Sequence, residues 1–530
     1  MERDATVYRN RWWTLLTLSL SLVIIGIDNT VLNVAIPTLQ REFDASASTL
    51  QWMIDSYIIV FAGLLLTMGA LGDRYGRAKA LQAGLVIFGI ASFAAAYAGS
   101  SDELIVWRAV MGIGGALIMP STLSIVIAVF PREERGRAIA IWSGVAGLGV
   151  GLGPLLGGLL LEYFWWGSVF LINVPIVLLA LALGRIFVPE SRDPHPLKID
   201  IPGAVLSMGA VVALVFAVIE APAKGWTDPI VLIGFVAAAA LAAGFIAWER
   251  RTSHPMLDLS FFQNPRFSAG SASIAIAFFA LFGVILAMTQ YLQFVLDYTA
   301  LEAGLRMTPI ALGIMVGAGR SHGLVRRLGT TKVVIVGFTI LTAVMVSIAF
   351  WTVDTSYWLI GTTFFFLAMG MGLIMAPATD AVMGAIPEAK AGVGSAMNDV
   401  VRQVAGAFGV AVIGSILNTA YSANMEEAVA ELPPRAAGPA EDNVGAAIQV
   451  AGQVGGAAGQ TLASAARDAF VDGLGITALA AAGIAILGAA MASKFLPAGH
   501  RPVGDSLAGE KSGERDSHRI ATEEAVGPAA

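Results

Sequence analysis

The chain has 530 residues, 56% hydrophobic and only 13% charged, with a mean hydropathy of +0.75 and a formal net charge of −6. Soluble globular chains sit near 45–50% apolar and roughly 25% charged, so this much apolar surface calls for lipid as well as a core. The sequence contains no cysteine, which excludes disulfides, thiolate metal sites and cysteine nucleophiles, and no basic face or motif points to nucleic acid.

A bilayer-spanning helix needs roughly 20 mostly apolar residues. Fourteen segments qualify, in chain order 12–35, 49–69, 80–98, 103–129, 138–161, 167–187, 200–220, 229–248, 267–293, 303–320, 331–351, 357–384, 392–420 and 473–495. The first is too long for the apolar region of a signal peptide, and no A-x-A-like site follows it closely, so it is expected to stay in the protein. Residues 421–471, rich in Ala, Gly and Gln with Pro433–Pro434, read as a long outer loop, part of it helical. Residues 499–530 are polar and charged and read as a disordered tail. The five histidines (His195, His254, His322, His500 and His518) fall in polar loops or the tail on this reading. No metal and no organic cofactor is therefore expected.

Orientation follows from the bias of Lys and Arg toward the cytoplasm. Alternate connections hold most of the 32 basic residues, among them Arg74, Arg77, Lys79, Arg132, Arg135, Arg137, Arg326 and Arg327. The other side holds only Arg41, Lys224, Arg435 and Arg467, while Arg108, Arg306 and Arg402 lie within spans. The asymmetry predicts an inner-membrane protein with both termini cytoplasmic. Trp165, Trp166, Trp226, Trp351 and Trp358 near outer ends, with Trp12 and Trp13 at an inner end, read as interfacial belts.

The sequence also repeats itself weakly. GALGDRYGRAKAL at 69–81 and HGLVRRLGTTKVV at 322–334 keep Leu, Arg, Gly and Lys at the same offsets; FPREERGRA at 130–138 and IPEAKAGVG at 386–394 keep Pro131/Pro387 and Gly136/Gly392 in step. Duplicated halves are a transporter feature, with sites near the midplane between them. The predicted architecture is all-α: a cytoplasmic N-terminus at 1–11, a six-helix bundle at 12–187, two inserted helices within 188–250, a second six-helix bundle at 251–498 and the tail at 499–530.

Four motifs then identify a family. GIDNTVLNVAIP at 26–37 resembles the first-helix motif of the major facilitator superfamily, and GALGDRYGRAKAL its cytoplasmic loop motif, with Gly69, Asp73, Arg74, Gly76 and Arg77 in place. WRAVMGIGGA at 107–116 is similar to the fourth-helix motif, with Arg108 as its arginine. GVAGLGVGLGPLLGG at 144–158 is similar to the fifth-helix antiporter motif, centred on Gly153–Pro154; WWGSVFLINVP at 165–175 also follows the pattern. The chain resembles the fourteen-helix drug:proton antiporters of that superfamily, above all bacterial exporters of quaternary ammonium compounds and dyes, over nearly all of residues 10–495. The resemblance implies the major facilitator fold and proton-coupled export of amphipathic, mainly cationic compounds, driven by the proton motive force without a cofactor.

Asp28, Asp55 and Arg108 fall in one layer roughly 10 Å below the outer surface, taking helix rise as 1.5 Å per residue. Facing lipid they would cost several kcal/mol, so they must face a cavity or each other. They read either as a structural ion pair or as a proton-coupling set in which arginine and proton compete for a carboxylate. Asp399 matches a recognition acid that such exporters carry near the start of the thirteenth span; pairing with nearby Arg402 is the alternative. Asp380, near the inner end of the twelfth span, is a further candidate for substrate binding or for an inner-interface pair. Some relatives carry an acid inside the tenth span, where this sequence has only Glu302 at the start. Trp52, Tyr57 and Trp142, whose aromatic faces attract quaternary ammonium groups, are candidate lining residues, as are Met53, Phe61 and Met119.

Gly69, Asp73, Arg74, Gly76 and Arg77 read as a tight basic turn and, by resemblance, as a latch that pairs across the cytoplasmic face. In the second copy Arg326 stands where the first has Asp73. Gly149, Gly153 and Gly157 permit close helix packing, and Pro154 a bend that seals against proton leak; the two roles are compatible. No G-x-x-x-x-G-K-[ST] occurs, so ATP hydrolysis is not expected and no enzymatic constellation stands out. The favoured function is multidrug efflux by a monomer whose partners are small amphipathic cations, protons and lipid. Export of an endogenous metabolite or lipid is the alternative within transport, and a non-transporting scaffold or receptor the alternative outside it.

Overall fold

A computed structural model of the protein describes residues 2–45, 47–192, 200–252, 255, 257–430 and 432–496; the predicted tail at 499–530 and His195, His254, His500 and His518 lie outside them. Among the described residues the regular structure is helical throughout, with no strand. The helices are α1 (Glu2–Phe43), α2 (Ala47–Tyr75), α3 (Arg77–Ala96), α4 (Ser101–Val129), α5 (Arg132–Tyr163), α6 (Ser168–Leu171), α7 (Asn173–Phe187), α8 (Ile201–Lys224), α9 (Pro229–Glu249), α10 (Pro265–Gln290), α11 (Ala300–Arg306), α12 (Thr308–Leu328), α13 (Thr330–Ile348), α14 (Tyr357–Gly384), α15 (Ala391–Val429), α16 (Pro434–Asp442), α17 (Val444–Val454) and α18 (Gly456–Phe495). They supply 14 segments long and apolar enough to cross a bilayer, so the chain is a multi-pass membrane protein. Lipid offers no hydrogen bonds, and a helix satisfies its backbone within itself.

Local chemistry sets the starts. Ser100 accepts from the Glu103 amide at α4, Asp228 from Ile230 at α9, and Asn264 from Arg266 at α10; Pro229 and Pro265 open the latter two helices. Thr299 and Glu302 form a reciprocal capping box at α11.

Ends follow helix geometry rather than the fall in hydropathy. Helix α1 begins at Glu2 and runs to Phe43, so residues 2–11 are helical and Asp28 lies about two turns further from the helix end than predicted. The stretch at 421–471 is helical through most of its length: α15 and α18 extend into it from either end, with α16 and α17 between them. Real contacts hold these extensions. Tyr421 donates to the Ala440 carbonyl at 3.0 Å, and Arg467 pairs with Asp297 at 2.8 Å. His322, expected in a loop, is on α12. Trp165 and Trp358 are exposed as the belt reading requires, but Trp166 and Trp351 are buried in the protein, and Trp226 donates to Ser415 of α15 at 3.0 Å.

Within the first half α1 packs on α5, and α2 and α3 on α4; within the second, α10 packs on α15, α12 on α14, and α13 on α14 and α18. The halves meet where α5 lies on α11 and α12, and where α2 and α4 lie on α15. Helices α8 and α9 pair with each other, and α8 leans on both α2 and α15, where Ile59, Ala62 and Val215 are buried together with Val404 against them. The sequence does contain one G-x-S-x-G match, at 319–323. It lies inside α12, and Ser321 donates to the Ala318 carbonyl at 2.6 Å, so it is helix packing and not the exposed serine of a strand-to-helix turn.

The repeat is visible in the backbone. Helices α2 and α3 are joined through Gly76 alone, at φ +121°, and α12 and α13 through Gly329 alone, at φ +85°. Both lie in the region that side chains rarely adopt. At Gly76 a methyl group would also come 2.5 Å from the Glu190 carboxylate, which accepts from the Ala78 amide at the start of α3. Gly76→Ala is therefore expected to cost about 1–3 kcal/mol, whereas Gly72→Ala, whose new methyl meets nothing closer than 3.5 Å, should be near neutral. Thermal unfolding of both variants in detergent checks this: a drop of several degrees for the first only.

Candidate functional site

Helices α1, α2 and α4 bring three of the predicted residues together. Arg108 Nη1 meets Asp28 Oδ2 at 2.6 Å, with both side chains removed from solvent. The arginine also donates to the Met53 carbonyl at 3.1 Å, and its guanidinium lies 4.6 Å from the centre of the Tyr57 ring. Asp55 is buried on the turn of α2 between Met53 and Tyr57, both of which Arg108 touches. Tyr57 in turn stacks on Phe61 at 5.5 Å. Asn173, in the WWGSVFLINVP motif but not singled out there, donates to Ser92 at 3.0 Å and sits 3.5 Å from Asp28. A polar residue in an otherwise apolar span was the available signal. Loss of one partner of such a pair costs about 3–5 kcal/mol, because the other charge is left in a dry interior.

A second buried pair lies between the halves. Asp399 and Arg402 of α15 approach to 3.7 Å, so the predicted pairing alternative is present. Arg402 donates to Thr379 of α14 at 3.0 Å and sits 5.0 Å from the ring of Trp142 on α5 and 5.5 Å from Phe278 on α10. Trp142 is fully buried and donates to Thr122 at 3.1 Å. Tyr57 and Trp142 thus each present a ring face to one of the protein's own arginines.

On the basic face, residues of the predicted latch join the two halves. Asp73 of α2 accepts from the amides of Gly392 and Val393, at 3.0 and 3.1 Å, and so caps the N-terminus of α15 in the other half. The positive end of that helix favours a carboxylate. Arg77 holds Asp73 at 2.7 Å and donates to the carbonyls of Glu388 and Ala389 at 2.8 and 3.2 Å. Gly69 lies against Gly392, where a methyl group would come 2.6 Å from its carbonyl. Arg135 pairs with Glu388 at 2.5 Å, a cross-half contact the motifs did not reveal. Arg74 is half-buried beside Tyr75. Arg326, the counterpart of Asp73, is exposed; in that half His322 faces Gly136, with Asp380 next to them.

The glycines of α5 form two stripes. Gly149, Gly153 and Gly157 face Gly26, Thr30 and Val31 of α1, within their own half. The cross-half stripe is Gly147, Gly151 and Gly158, against Ile314, Ala311 and Leu301, with Gly304 of α11 against Pro154. The gating glycines read from the motif therefore pack α5 into its bundle, and its partner stripe forms the contact between halves. Trp52 is also placed differently from the prediction. It was read as a candidate lining residue; it is 38% exposed, with its ring against Phe216 of α8.

If the Asp73 cap holds the two halves together, its loss loosens the start of α15. Because the protein has no native thiol, a single cysteine at the buried Ser395 reports this. Asp73→Ala should raise its rate of alkylation by N-ethylmaleimide by about tenfold, in keeping with a local opening made easier by roughly 1.4 kcal/mol. Equal rates in the two backgrounds would mean the cap does not control the seam.

The family model of the Major Facilitator Superfamily matches residues 18–410. A tetracenomycin C resistance and export protein from Streptomyces glaucescens is 33% identical over 91% of this chain and 91% of its own. The multidrug efflux pump LfrA from Mycolicibacterium smegmatis is 35% identical over 91% of this chain and 95% of its own, and the methyl viologen resistance protein SmvA from Salmonella typhimurium is 34% identical over 87% and 93%. Among solved structures, the proton:xylose symporter XylE overlaps with a TM-score of 0.59 at 17% identity, covering 93% of this chain and 96% of its own, a likeness of fold. The chain belongs to the Major Facilitator Superfamily, and is a transporter rather than an enzyme.

Proposed function

We propose that the protein exports amphipathic, mainly cationic small molecules in exchange for protons, as a monomer in the inner membrane with both termini cytoplasmic. The observation that carries the reading is the Asp28–Arg108 pair, a carboxylate and a guanidinium in contact inside the spanning region. Ionisable groups at such depth are costly and mark ion pathways. The names of the relatives, which include a multidrug efflux pump and a methyl viologen resistance protein, support the cargo class.

In the proposed cycle a proton on Asp28 cancels one half of the pair, while Arg108 keeps the Met53 carbonyl and the Tyr57 face. Loss of the proton restores the pair. The Asp73 cap and the Arg135–Glu388 bridge then hold the basic face closed, and their release opens it to cargo. Asp399, beside Trp142 and between the halves, is the acid proposed to recognise positive charge; Asp380 and Asp55 are secondary candidates. A second reading, export of a compound the cell itself makes, draws support from the relative named for tetracenomycin C export.

Everted membrane vesicles with an imposed pH gradient should accumulate ethidium, and Asp28→Asn should reduce this to the level of vesicles lacking the protein. Wild-type uptake that persists after the gradient is collapsed would remove proton coupling. Uptake of neutral and anionic compounds in preference to ethidium would remove the cationic cargo class.

A further inference from the structure

The site around Arg402 combines strong burial with incomplete satisfaction. Among the described residues no group hydrogen-bonds to either carboxylate oxygen of Asp399, and none hydrogen-bonds to Nε of Arg402, to either end of the Asn398 amide or to the Ser395 hydroxyl. All four residues are at most 4% exposed. Buried polar groups are ordinarily paired, and each orphan calls for an explanation. The contrast with Arg108 is direct: that guanidinium touches its carboxylate at 2.6 Å, whereas Arg402 stands 3.7 Å from Asp399. What surrounds Arg402 is an indole face, a phenyl ring and an acid, a combination that recognises organic cations in general. The parts come from both halves: Trp142 from α5, and Phe278, Thr379 and Asp399 from α10, α14 and α15.

From this arrangement we infer that Arg402 is a tethered stand-in for the cargo: its guanidinium fills a cation box made by Trp142, Phe278 and Asp399, and a lipophilic monovalent cation binds there by displacing it. The inference rests on the proposed cationic cargo and names where and against what that cargo competes. It also explains why the pair is loose. A guanidinium is weakly hydrated and tolerates an apolar box, and Thr379 is its one hydrogen-bonding anchor to another helix among the described residues. A cargo cation that takes its place breaks a link across the two halves, because Trp142 and Arg402 belong to different ones. Cargo without charge has no means of outcompeting it, so the tether selects for cations by occupying their place.

Competition by a tethered group lowers apparent affinity by the fraction of time the box is free. Binding of tetraphenylphosphonium to the purified full chain, by titration calorimetry, reads this. Arg402→Gln shortens the side chain, keeps it polar and removes the charge, and should bind about tenfold more tightly than wild type. Arg402→Lys, which keeps a tethered cation, should capture less than about a third of that gain. Guanidinium chloride at millimolar concentration should reverse the gain in Arg402→Gln, where sodium chloride at equal ionic strength does not. Should Arg402→Gln not fold, Thr379→Val, close to isosteric and lacking the anchor, should still tighten binding. Equal or weaker binding in the folded charge-removed or anchor-removed variant overturns the inference, as does a gain that guanidinium fails to reverse. Ethidium export by wild type, measured separately, tells this apart from failure of the cargo class: export without tighter variant binding removes the tether alone.

Discussion

A charge taken from water into a lipid-embedded bundle has to be matched by another charge or by hydrogen bonds, and the protein meets that demand to different degrees at two places. Asp28 and Arg108 are matched closely, with Met53, Tyr57 and Asn173 completing their surroundings. Asp399 and Arg402 are matched loosely, and the aromatic rings of Trp142 and Phe278 stand in for missing hydrogen bonds. A well-satisfied pair resists rearrangement and a poorly satisfied one yields to a competitor, so the two sites differ in how readily each is disturbed. One lies wholly in the first half; the other touches both halves. The proposed exchange of proton and cargo uses that difference.

The same economy of partners governs the basic face. The backbone amides at the start of α15 are orphan donors that some acceptor must satisfy, and Asp73 supplies it from the opposite half. A cap is usually local; here it joins two bundles. Gly392 and Gly69 are small because backbone and carboxylate approach each other too closely for a side chain. In the other copy of the repeat the corresponding positions bring His322 against Gly136 instead. The repeat preserved the turn at Gly76 and Gly329 and changed the chemistry of the contact.

Hydropathy and motif order were enough to read the helical class, the fourteen spans and the turn at Gly76, because lipid imposes helix on any long apolar run. Helix ends were less legible. At residues 421–471 the sequence is polar enough to suggest a loop, yet tertiary contacts such as Tyr421–Ala440 and Arg467–Asp297 keep α15 and α18 helical well past the apolar core. The acids and arginines were legible as costly residues in spans, but which aspartate meets Arg108 was not, because depth put Asp28 and Asp55 in the same layer. The aromatic partners were legible only in part: Tyr57 and Trp142 were among the candidates, while Phe278 was not. Depth along a helix places Trp52 and Trp142 equally well in a cavity, but rotation about the axis decides, and α8 claims Trp52. Rotation also separates the two glycine stripes of α5, which in sequence are interleaved. Asn173, Thr379 and Glu388 act through partners more than 20 residues away, and a single sequence carries no trace of those pairings.

The position of α8 has a consequence for compounds that dissolve in the bilayer before they reach the transporter. A molecule with two related halves has two lateral fissures, one along α2 and α15 and one along α5 and α12. Helix α8 lies across the first, with Val212 against Gly63 and Trp226 anchored on Ser415 at the edge of α9. The inserted pair therefore makes the two flanks of a nearly symmetric molecule different, and membrane-borne compounds diffusing in the leaflets meet those flanks on unequal terms.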